Sequence, residues 1–89
     1  MSVVDEIIVE REKAHGEFWK TAEIAQDLKG VIARHTERML DPVHDEALDM
    51  IASKIARILS GDPNRVDHWI DIAGYAQLGA NMARAKNDV

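Results

Sequence analysis

The chain has 89 residues, sixteen acidic against eleven basic, for a formal charge of −5, and it has no cysteine. A chain of this size buries only about 60% of its unfolded surface, so one core is marginal and a single domain over 1–89 is expected. Disulfides and thiolate metal sites are excluded, which makes association the default way to complete the fold, and the acidic balance argues against sequence-independent binding to a nucleic-acid backbone.

Met1 to Arg11 interleaves Asp5, Glu6 and Glu10 with valines and isoleucines. There is no basic region followed by an apolar stretch, as a signal peptide requires, and no apolar run approaches the roughly 20 residues of a membrane span. A soluble, cytoplasmic protein is expected. Proline occurs only at Pro42 and Pro63, each after an aspartate, and Gly16 follows His15 in a third break. These breaks divide the chain into four helices, about 3–14, 17–40, 43–60 and 65–86.

The first segment offers Val3, Val4, Ile7 and Ile8 as a broad apolar patch for its own chain or another subunit. The second places Phe18, Ala22, Ala25, Leu28, Ile32, His35 and Met39 on one helical face. The third starts after Asp41-Pro42, carries Leu48, Ile51, Ala52, Ile55, Ile58 and Leu59 on a single stripe, and stops at Gly61. The fourth follows Gly61-Asp62-Pro63-Asn64 and presents Val66, Trp69, Ile70, Ala73, Gln77 and Ala80. Nothing alternates with period two, so the fold class is all-α, a small bundle of about four helices with the third and fourth as antiparallel neighbours.

The fourth helix holds the least ordinary residue. Asp71 falls between Ile70 and Ile72 on the helical wheel, where a half-buried carboxylate needs a partner. The nearest cations in the pattern are Lys54 and Arg57, three apart on the third helix; their plainer role is a solvated flank. Arg11 and His15 lie one turn apart just before Gly16, whose missing side chain allows the backbone to reverse or a ligand to approach. Trp69 and Tyr75 are core or interface rings first and base-stacking rings second. His35 suits a core or interface position, and His44 and His68 fall near helix starts or loops. Glu46 and Asp49 share the i,i+3 spacing of carboxylate metal sites, but two acids on one exposed face are ordinarily solvated. No histidine pair has the spacing of a zinc helix, and nothing positions Ser53 or Ser60 as a nucleophile, so neither a metal nor a cofactor is expected.

The His15-Gly16 break, Lys54-x-x-Arg57 and Asp71-Ile72-Ala73-Gly74-Tyr75-Ala76 together resemble a family of small phage and prophage proteins of unassigned function, over roughly residues 8 to 83. That family is similar in turn to the MazG-like all-α NTP pyrophosphohydrolases. The resemblance implies a MazG-like bundle, a host-cytoplasmic location and, in the hydrolases, a Glu-x-x-Glu helix facing a Glu-x-x-Asp helix around magnesium. Carried over by helix, Lys54 and Arg57 stand at the first acidic pair and His68 and Asp71 at the second. One acid beside two cations cannot hold magnesium in that manner, whereas lysine and arginine neutralise phosphates directly.

Three functions follow as expectations. The first is a homo-oligomeric binder that sequesters a nucleotide or nucleotide-derived signal without turnover. In it Lys54, Arg57 and Arg11 meet phosphate beside His15, Trp69 or Tyr75 stacks on the base, and Asp71 orients the cations or contacts a sugar or base edge. The second is a structural or protein-interaction module in which the same charges form an inter-helix network. The third is a magnesium-dependent pyrophosphohydrolase using Glu46, Asp49 and Asp71.

Overall fold

The computed structural model describes residues 2–88. Four helices follow one another, α1 (Val3–His15), α2 (Phe18–His35), α3 (Pro42–Ser60) and α4 (Val66–Asn87), and there is no strand among the described residues. The fold is the all-α, four-helix arrangement expected, and none of its helices is long and apolar enough to cross a membrane among the described residues.

Local chemistry sets the helix ends. Ser2 caps α1 in a capping box, accepting from the Asp5 N–H while the Asp5 carboxylate accepts from the Ser2 N–H. Asp41 caps α3 by accepting from the Val43 N–H at 2.8 Å, with Pro42 in the first turn, where its missing N–H costs nothing. Gly61 closes α3 with its N–H on the Arg57 carbonyl at 2.9 Å. Helix α2 departs from expectation by ending at His35 rather than near 40. The Thr36 hydroxyl donates to the Ile32 carbonyl at 2.6 Å, and the backbone at Thr36 turns extended. Met39, expected on the apolar face of that helix, therefore lies in the connection and is 99% exposed; His35 is exposed as well.

Helix α3 is the centre. It packs against α4 on one side and α2 on the other, while α2 and α4 do not meet among the described residues. The α3–α4 hairpin is fastened along its length by polar contacts. Lys86 pairs with Asp41 at 2.9 Å, the His44 Nε2 lies 2.9 Å from the Gly79 carbonyl, and Lys54 pairs with Asp71 at 2.9 Å. These contacts set the rotation of α4, and the outcome differs from the expected face. His68 is buried and Asp71, Ile72, Tyr75 and Gly79 are half-buried, whereas Val66, Trp69, Ile70, Ala73 and Gln77 point to solvent. Apolar residues lie around most of α4, so periodicity alone does not select a face; the polar partners on α3 do.

Among the described residues the buried apolar core is thin, consisting of Ala25, Ala47, Ala52, Ala56 and Ile58. Of the expected α3 stripe, Leu48 and Leu59 are exposed and Ile51 and Ile55 only half-buried. Helix α1 is joined to the rest at its C-terminal end. There Gly16 takes φ 83° and ψ 172°, and a Cβ at that position would overlap the Ser60 carbonyl at the end of α3. Backbone with positive φ is costly for any residue with a side chain, and here the steric contact adds to it. Replacing Gly16 by alanine is expected to destabilise the protein by about 1–3 kcal/mol, read as a lower urea midpoint with unchanged slope.

Candidate functional site

The contact that demands glycine at position 16 also builds the most distinctive polar cluster. Where α1 turns into α2 against the end of α3, the Thr21 and Ser60 hydroxyls lie 2.7 Å apart, and both reach the His15 carbonyl, at 3.2 and 3.3 Å. Ser60 Oγ also reaches the Ala56 carbonyl at 2.8 Å, and Thr21 Oγ1 the Glu17 carbonyl at 3.1 Å. Two hydroxyl protons thus serve several acceptors, pinning the backbone of His15 to α2 and α3.

The ring of His15 reaches across to α4. Its Nδ1 lies 3.0 Å from the His68 Nε2, with ring centroids 4.9 Å apart and planes tilted by 59°. His68, at 2% exposure, is the largest fully buried side chain of the described residues. A hydrogen bond between two imidazole nitrogens needs one donor and one acceptor, so at least one ring presents an unprotonated nitrogen to the other.

Positive charge gathers around this pair. Burial, and then the charges of His68, Arg57, Arg65 and Lys54, hold the His15 ring below the ordinary histidine value of 6.5. One turn beyond His68, Asp71 meets Lys54, whose side chain is only 12% exposed. The Lys54 hydrogen bond, followed by the charges of Lys54, His68 and Arg57, holds the Asp71 carboxyl below 3.8, with partial burial opposing the shift. Arg57 and Lys54 therefore act on both His15 and Asp71. Of the α3 and α4 positions singled out in the sequence, Lys54, Arg57 and Asp71 come together.

An open cleft of about 510 Å³ lies alongside, lined by Arg11, Lys13, His15, Arg65, Glu10 and Asp62. Arg11 thus joins His15 on the α1 side of the site. Trp69 and Tyr75 do not. The Trp69 indole N–H donates to the Pro63 carbonyl at 2.8 Å on the exposed side of α4, and Tyr75 lines hollows farther along α4, one with Leu78 and Val43 and another with Ile70 and Asp71. Glu46 borders the same hollow as Tyr75, and no group of three or more histidine, aspartate or glutamate side chains able to hold a metal occurs among the described residues.

Sequence reasoning passed over Arg65, Thr21 and the central place of His68. The signal for His68 was its position one turn before Asp71, on the face that Lys54 selects. Arg65 carries no periodic signal, since it precedes the first residue of α4.

A family described as a domain of unknown function, DUF6378, matches residues 1–83. The chain belongs to that family. The matched span includes His15, Lys54, Arg57, Arg65, His68 and Asp71, so the whole cluster lies inside the family domain. No curated protein and no solved structure matches the chain.

The cluster gives folding stability a defined dependence on pH. His15 binds a proton less readily in the folded than in the unfolded chain, so its neutral form is accommodated at no cost above 6.5, and stability falls as pH drops from 6.5 through its lowered folded value. Asp71, and Asp41 held down chiefly by its hydrogen bond from Lys86, are shifted the same way from 3.8. Their stabilisation is present above 3.8 and lost as pH falls through their lowered folded values. The expected urea midpoint is flat above neutrality and declines in two steps on acidification. Replacing His15 by asparagine should remove the upper step and retain the lower.

Proposed function

We propose that this protein binds a phosphorylated small molecule, a nucleotide or nucleotide-derived signal, and sequesters it without turnover. The observation that carries the proposal is the gathering of Lys54, Arg57, Arg65 and Arg11 about the His15–His68 pair in a chain of net charge −5. Cations collected against the overall charge of a protein, beside a buried polar pair and an open cleft, suit an anionic ligand. The arginine guanidinium groups supply bidentate hydrogen bonds to phosphate oxygens, and Lys54 supplies a point charge steadied by Asp71. His15, whose neutral form is favoured by burial and by the surrounding positive charge, adds a donor when an anion favours its charged form.

The phage-type, MazG-like resemblance fits the same picture. Lys54 and Arg57 on α3 face His68 and Asp71 on α4, which is the relation of the two acidic pairs in the hydrolases, with cations in place of carboxylates. A magnesium-dependent hydrolysis is the weaker reading, because Glu46, Asp49 and Asp71 do not form a group able to hold a metal among the described residues. The protein works as a homo-oligomer, supported by its thin core.

The Lys54–Asp71 pair favours one competing function, a protein-interaction module, because the two charges already satisfy each other. Thermal unfolding against mono-, di- and cyclic nucleotides, with and without magnesium, separates the two. Sequestration predicts a magnesium-independent rise in midpoint, of the order of 10 °C at a hundredfold excess over Kd, with the ligand recovered intact. Arg57→Ala should abolish most of that rise in a protein whose own midpoint changes little. An unmoved midpoint with every nucleotide assigns the charges to an internal network, and magnesium-dependent release of pyrophosphate would restore the hydrolase.

A further inference from the structure

The three helices α2, α3 and α4 form a single layer with α3 in the middle, and one face of that layer is apolar and uncovered. Leu28, Val31 and Ile32 on α2 line a hollow of about 240 Å³ with Leu48, Ile51 and Ile55 on α3. Leu48 and Ile51 also line a second hollow, of about 420 Å³, toward Tyr75 and Ala76 on α4. The two hollows share α3 residues and so make one continuous surface. In a closed four-helix bundle a further helix would fill it, but α1 reaches α2 and α3 only slightly, and every described residue from Ser2 to Lys13 is exposed.

The size of the deficit says what fills the surface. The accessible area is 6649 Å², whereas a folded monomer of 10.0 kDa exposes about 5,200 Å². The radius of gyration is 15.5 Å against about 12 Å for a compact chain of this length. The excess, about 1,400 Å² per chain, is shared between the exposed arm of α1 and the open face, and compares with the roughly 800 Å² that each partner contributes to a standard interface. A chain with so little core of its own needs the cover in every molecule, at equal stoichiometry. Only another copy of the chain meets that condition unconditionally.

We propose that two copies pack face to face through the α2–α3–α4 layer, with Leu28, Val31, Ile32, Leu48, Ile51 and Ile55 of one chain against the same residues of the other. The interface is isologous, with α3 of each chain nearest the two-fold axis. The proposal rests on the oligomeric part of the function above and names the surface responsible. It differs from any association through the exposed outer side of α4, where Trp69 and Ile70 lie.

Sedimentation equilibrium and concentration-dependent thermal unfolding test it together. The unmodified protein is expected to have twice the mass of the 10.0 kDa chain and a midpoint that falls by several degrees on tenfold dilution. Leu48→Glu should abolish the dimer, and Ile70→Glu should leave it intact. If Leu48→Glu does not fold, Leu48→Cys, the sole cysteine in the chain, should cross-link to its counterpart with a short bis-maleimide; absence of that product overturns the proposal. A dimer that survives Leu48→Glu but is lost in Ile70→Glu overturns the face and leaves self-association standing. A monomer with a concentration-independent midpoint overturns both, and assigns the face to a partner of different sequence.

Discussion

Helix α3 contacts each of the other three helices, and it does so through alanine. Ala47, Ala52 and Ala56 are buried, and small side chains let α4 and α2 approach α3 closely from its two sides. The same choice limits what the contact is worth, because alanine removes little apolar area from water. The α3–α4 seam is therefore held by directed contacts as much as by burial. Asp41 meets Lys86 at one end, His44 meets the Gly79 carbonyl, and Lys54 meets Asp71.

That division of labour places the polar cluster. With Asp71 drawn to Lys54, the position one turn earlier on α4 is turned inward, and His68 occupies it. The end of α3 then receives the α1–α2 turn, since Gly16 can lie against the Ser60 carbonyl, and His15 is delivered to His68. Two structural requirements, a glycine with positive φ and a half-buried lysine–aspartate pair, thus bring together residues separated by more than fifty positions in the chain. Cations that accumulate at such a junction repel one another unless a counter-charge is present. Asp71 supplies part of it.

The site and the open apolar surface draw on different sides of α3. Arg57 sits away from the stripe formed by Leu48, Ile51 and Ile55 and Lys54 at its border, and the cleft beside His15 shares no lining residue with the apolar hollow, so closing that surface with another chain need not close the cleft. Most stabilisation of an amphipathic helix comes from packing its apolar face. In a single chain α3 leaves part of that face, Leu48 and Leu59, exposed.

The sequence by itself determined the number of helices, their order and most of their ends, because Asp41-Pro42, Gly61 and Gly16 act within a few residues of where they stand. It also singled out Asp71, with Lys54 and Arg57 as its candidate partners, since a carboxylate between two isoleucines has few ways of being satisfied; that Lys54 is the one it meets came from the structure. Only the tertiary structure decided which side of α4 faces α3, and that His68 rather than Trp69 is buried. Helical periodicity records where apolar residues lie along one helix, and on α4 they lie nearly all round. The choice among its faces is made by hydrogen bonds and charges on another helix, which no local pattern contains.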